Sequence, residues 1–174
     1  MESALEHKLL NSYKKEMISY MAAHPEYFEE AIQLAVSDKQ PYSWRSAYVL
    51  WSVIEKNDNR IQKHIQKIVE VVKNKNDGHQ RELLKILLMM ELDEKYEGVL
   101  FDICLGIWEQ IDKSPSVRIN ALKMIIKIAN IHPEIKQEIS FLTQDHYLES
   151  LSPGARHSAF KLMKELLHLK EGKL

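Results

Sequence analysis

The chain has 174 residues, 45% hydrophobic and 28% charged, a composition that suits a folded domain or a short repeat array. Its 24 Lys and Arg balance 25 Asp and Glu, and a net charge of −1 excludes a general attraction to phosphate backbones or anionic lipids. The single cysteine, Cys104, excludes an intrachain disulfide and any cysteine-built zinc site.

Only five Gly and five Pro occur, and apolar residues recur every three or four positions, so the pattern predicts helices throughout. The first runs over 2–22 on Leu5, Leu9, Tyr13, Met17 and Met21, and stops before His24-Pro25. Charges interrupt its apolar residues, which predicts a helix of the mature protein rather than an export signal and, with the lone cysteine, a cytoplasmic location. Helices over 25–37 and 42–56 follow. The latter opens on PYSWRSAYVLW, 41–51, which holds two of the three tryptophans. After Asn57-Asp58-Asn59, helices are predicted over 59–74 and 78–92. The apolar run LLKILLMM is broken by Lys85 and is far shorter than the roughly 20 residues of a membrane span.

A helix over 94–112 carries Cys104 in the run VLFDICLGIW, where a small buried thiol is expected. Ser114-Pro115, Pro133 and Ser152-Pro153-Gly154 then open helices over 115–130, 133–149 and 153–169. The last carries Phe160, Leu162, Met163, Leu166, Leu167 and Leu169, a wider apolar arc than one neighbour covers. A homodimer through this C-terminal helix is the expected way to cover it.

The chain repeats itself. AYVLW (47–51), LLKIL (83–87), ALKMI (121–125) and AFKLM (159–163) align without gaps at spacings of 36, 38 and 38 residues. Each lies in the second helix of a pair. His24-Pro25-Glu26 and His132-Pro133-Glu134 form a second echo, each opening the first helix of a pair. The expectation is a single helical-repeat domain over 1–174, made of an N-terminal helix, 1–22, and four pairs over 25–170 that share one core.

The run IDKSPSVRINALKMIIKIA, 111–129, resembles the HEAT-repeat pattern of an acidic residue, a proline turn and Val-Arg-x-x-Ala opening an apolar helix. LSPGARHSAFKLMKEL, 151–166, is similar, with Ala155 in the valine place, whereas Gln80 and Trp44 stand at the arginine position of the earlier pairs. The resemblance implies an all-α, right-handed superhelix of armadillo type. In that family the second helices line the concave surface, and the arginine, here Arg118 or Arg156, ties pairs together through an acidic residue such as Asp112.

At about 100° per residue, measured from Ala47, Leu83, Ala121 and Ala159, Trp51 falls with the core, while Trp44 and Tyr48 fall on the flank where helices meet. Packing therefore accounts for the aromatic stretch. The outward direction, at about 200 to 260°, carries Ser46, Val49 and Val53, then Glu82, Lys85 and Met89, then Asn120, Lys123 and Lys127, and finally Ser158, Lys161 and Glu165. Of these, Val49, Val53, Lys85, Met89, Asn120, Lys123, Lys127 and Lys161 are the expected binding surface. Lys85, Lys123 and Lys161 recur once per pair, and the apolar start suits a protein or peptide partner with acidic and apolar residues.

No catalytic, cofactor or metal residues are expected. The eight histidines lack HExxH spacing, and no P-loop, dinucleotide glycine fingerprint or G-x-S-x-G turn occurs. The reading is a non-catalytic protein-interaction scaffold with no membrane contact. The alternative is a nucleic-acid binder or a DNA-repair glycosylase, since one such family is built of HEAT-like repeats; it requires a cationic groove, an aromatic platform and a nearby carboxylate.

Overall fold

The computed structural model of the chain describes residues 2–168, and every regular element among them is helical. The chain forms two compact units, Met1–Leu92 and Asp93–Leu174. The first contains α1 (Ala4–Asn11), α2 (Lys14–Ala23), a 3-10 turn (Pro25–Tyr27), α3 (Phe28–Val36), α4 (Tyr42–Val53), α5 (Asn59–Gln62), α6 (Ile65–Val72) and α7 (Asp77–Met89). The second contains α8 (Glu94–Glu109), α9 (Pro115–Ile131), two 3-10 segments (Pro133–Lys136 and Glu138–Thr143), α10 (Asp145–Leu148) and α11 (Pro153–His168). Leu169 lies outside the described residues.

In the first unit α4 packs on α1, α2, α3 and α7; in the second α9 packs between α8 and α11. The repeated anchors Ala47, Leu83, Ala121 and Ala159 are all fully buried, as their shared position in the pattern requires. Cys104 is buried too, and desolvation pushes its thiol far above the usual range, which leaves it inert.

Three predicted helices are broken: 59–74 by a turn at Lys63 and His64 between α5 and α6, and 2–22 and 133–149 more deeply. The segment 2–22 divides at Ser12 and Tyr13, both extended. Ser3 and Glu6 cap α1 reciprocally, and the Glu16 carboxylate accepts from the Tyr13 amide at 3.1 Å to start α2 afresh. Between them the Arg45 guanidinium donates to the carbonyls of Leu9 and Ser12. Segment 133–149 is likewise a chain of short 3-10 and α pieces rather than one helix. Pro133 supplies no amide. Trp108 donates its indole N–H to the Leu142 carbonyl at 3.0 Å, and Arg118 reaches the Tyr147 carbonyl at 2.6 Å. These acceptors serve tertiary bonds.

In three pairs, the position three residues before the anchor ties the second helix to the end of the segment before it in the same pair. Gln80 donates to the carbonyls of Val72 and Lys73 at the end of α6. Arg118 donates to Trp108 O at 2.9 Å at the end of α8, and to Ser150 Oγ at 2.8 Å. Arg156 donates to Leu151 O and Glu149 O. The expected tie through Asp112 is therefore corrected: Asp112 acts on Arg118 through charge, while the bonds of the guanidinium go to backbone and hydroxyl acceptors that would otherwise be unmet. Trp44 cannot fill this role, and Arg45 beside it bonds the end of α1 instead. The turn after α3 is clamped similarly. Lys75 donates to Ser37 O at 2.8 Å, and the fully buried His79 donates from Nε2 to Ala35 O at 2.7 Å while Nδ1 accepts from Gln40 at 3.2 Å.

Two predictions follow from burial. Arg118→Ala strands several buried carbonyls and is expected to cost about 3 to 5 kcal/mol in urea unfolding, Gln80→Ala about 1 to 3 kcal/mol, and the exposed Arg156→Ala little. Burial lowers the pKa of His79, against the opposing effect of its bond to Ala35, so the unfolded chain takes up this proton first. Its contribution is whole above about pH 6.5 and is lost as pH falls below that value. In His79→Gln the loss of stability between about pH 6.5 and pH 5 should be shallower than in the parent.

Candidate interaction face

In the first unit the N-terminal α2 and the second helices α4 and α7 bring Lys14, Trp51 and Lys85 together. The Lys85 ammonium lies 4.3 Å from the centroid of the Trp51 ring, and the Lys14 ammonium lies 5.3 Å from it and 5.0 Å from that of Tyr48. All three distances fall within the reach of a cation–π attraction. The Trp51 indole N–H is shielded from solvent and meets no acceptor among the described residues. An orphan donor of this kind costs about 1 to 3 kcal/mol, so the ring is positioned by what lies on its faces rather than by a hydrogen bond.

Lys85 is anchored from below. The Glu82 carboxylate is fully buried and accepts from Lys85 Nζ at 3.1 Å and Arg81 Nε at 2.7 Å. A carboxylate without solvent needs such cations to remain charged. With Lys14 the cluster carries three cations against one anion, beside a half-buried Trp51 and Tyr48.

The predicted surface residues separate by helix. Val49 is corrected: it is 1% exposed and belongs to the core. Four helices contact α4, one more side than a common wheel allows for, and Ser46, on the same supposed outward arc, donates to the Ala31 carbonyl of α3 at 2.7 Å. Asn120 is also corrected: it is 8% exposed, and its amide donates to Ser116 O at 2.8 Å within its own helix. Val53, Met89 and Lys127 are half-exposed, and Lys123 and Lys161 are exposed. Lys161 stands 4.0 Å from Glu165, a distance that leaves it largely solvated. Lys85 is half-buried and engaged, not a freely solvated lysine. Trp51, expected in the core, is only half-buried.

The sequence reading missed Lys14, Arg81 and the buried state of Glu82. The spacing of Glu82 and Lys85, three apart on one helix, was the available signal. On α11, Met163 and Leu166 are buried, whereas Phe160 and Leu167 remain 52% and 42% exposed.

A family model described as a HEAT repeat domain matches residues 1–166. No curated protein and no solved structure matches the chain.

Glu82→Ala would leave two cations without their buried partner. It is expected to cost about 3 kcal/mol, at the low end for a broken buried pair because Arg81 and Lys85 can turn to solvent. Lys85→Met, which keeps the contact with Trp51 but removes the charge, should cost less in the same denaturant titration.

Proposed function

The chain belongs to the HEAT repeat domain family, and we propose that it is a non-catalytic scaffold that binds a protein or peptide segment on the face formed by its second helices. The observation that carries this reading is the Trp51 ring with the ammoniums of both Lys14 and Lys85 over it. A half-buried indole offers a partner apolar area, and cations around it offer carboxylates a counter-charge. The expected segment carries acidic residues beside an apolar anchor, and Val53 and Met89 extend the apolar part. In the second unit, Lys123, Lys127 and Lys161 give α9 and α11 a basic character of their own.

Glycosylase chemistry would require a carboxylate able to act beside an aromatic platform. Glu82, the carboxylate linked to Trp51 through Lys85, is fully buried and neutralised by Arg81 and Lys85. It is therefore unavailable as a base, and no release of base from alkylated DNA is expected. We further propose that Phe160 and Leu167 on α11 meet a second copy of the chain, so that Phe160→Glu should sediment as a lighter species than the parent.

Panning a displayed peptide library against the protein tests the main reading. The recovered consensus should pair an apolar residue with Asp or Glu, and Lys14→Glu should weaken the selected peptide roughly tenfold, more at low salt, with an unchanged melting temperature. A consensus without acidic residues, bound equally by Lys14→Glu, would remove the basis for it.

A further inference from the structure

The second unit holds a groove of different chemistry. One stripe of α8, Glu94, Glu97, Gly98, Phe101 and Asp102, forms one wall at helical spacings. Ile128 of α9 and His132, Glu134 and Ile135 just beyond it form the other, around a volume of about 390 Å³. This is the small end of the range of pockets that hold ligands, about 300 to 1,000 Å³, and suits one long side chain.

The charges in the groove are unevenly satisfied. His132 Nε2 lies 2.5 Å from Glu97 and its Nδ1 lies 3.5 Å from Glu134, so the imidazole engages the innermost carboxylate. Glu94 and Asp102 make no ion pair among the described residues, and both are exposed at the rim. No group of three or more His, Cys, Asp or Glu among the described residues converges closely enough to hold a metal ion. The carboxylates are spread along an apolar floor, an arrangement that matches an extended organic cation rather than a point charge.

Gly98 lines the same groove. It lies in the middle of α8, where glycine weakens a helix, yet a Cβ built there would meet nothing within 4 Å. Packing does not require glycine at this position. Its missing side chain keeps the groove open.

We propose that this groove receives an arginine side chain from a segment of a partner protein. The methylenes lie along Ile128 and Ile135, the guanidinium plane lies on Phe101, and its N–H groups donate to Glu94 and Asp102. Arginine fits better than lysine because a planar, weakly hydrated fork can both stack on an aromatic face and bond two separated carboxylates. The site is independent of the Trp51 face and bears the opposite charge.

The test is a 1H–15N titration of the full chain with a short glycine-serine peptide carrying one central arginine, and with the same peptide carrying citrulline. Amide shifts should centre on 94–102 and 132–135, and the neutral citrulline peptide should bind at least roughly tenfold more weakly. Gly98→Leu fills the groove and should abolish those shifts while the melting temperature stays level or rises. Should that variant fail to fold, Glu94→Gln with Asp102→Asn, both at the rim, should weaken the peptide by roughly tenfold. Equal binding of citrulline, shifts centred elsewhere, or unchanged binding by folded variants would overturn the proposal. Spermidine acting on the same amides at lower concentration than the peptide would overturn the assignment to a protein side chain.

Discussion

The last carbonyls of each helix have no partner inside the helix, and this constraint organises how the second helix of a pair meets the segment before it. The chain answers it with a long side-chain donor placed just inside the following second helix: Gln80 on Val72 and Lys73, Arg118 on Trp108 and Tyr147, Arg156 on Glu149 and Leu151. Because the donor sits three residues before a fully buried anchor, fixing the carbonyls also fixes how the apolar stripe enters the core. Arg118 is the extreme case, a fully buried guanidinium with its central carbon 4.8 Å from the centroid of Trp108. Its charge is tolerated because three acceptors and a ring face surround it.

The first pair lacks this donor at the usual place, and the consequence extends to the surface. With Trp44 in the slot, Arg45 beside it donates instead to Leu9 and Ser12 at the end of α1. The carbonyls at that break are thus met by α4 rather than by a continuing helix, and α2 starts anew at Lys14. This break brings the Lys14 ammonium over Tyr48 and Trp51. A structural substitution in one slot thereby contributes a cation to the candidate interaction face.

The near-zero net charge conceals local separation. Cations gather around Trp51 above a buried Glu82 in one unit, while carboxylates outnumber the imidazole of His132 along α8 in the other. Each cluster rests on an apolar or aromatic surface. Charges in such settings are screened less than those on a fully solvated face, which makes each cluster selective for the sign of its partner.

Helical class, the repeat spacing and the four anchors were legible in the sequence, because a helix of 3.6 residues per turn writes its buried side as a local period. The echo of His24-Pro25-Glu26 and His132-Pro133-Glu134 was legible too: both open 3-10 turns, with the histidine amide returned to the preceding helix. What the period does not contain is how many neighbours cover a helix and from which side. Only the tertiary structure decided that Val49 is buried, that Trp51 keeps a face toward two lysines, and that Glu82 lies beneath Lys85. The breaks in 2–22 and 133–149 were hidden for the same reason. Their carbonyls are claimed by Arg45, Trp108 and Arg118, donors about 30 residues or more away in most cases, and no local pattern records a bond whose two ends meet only after the pairs have packed.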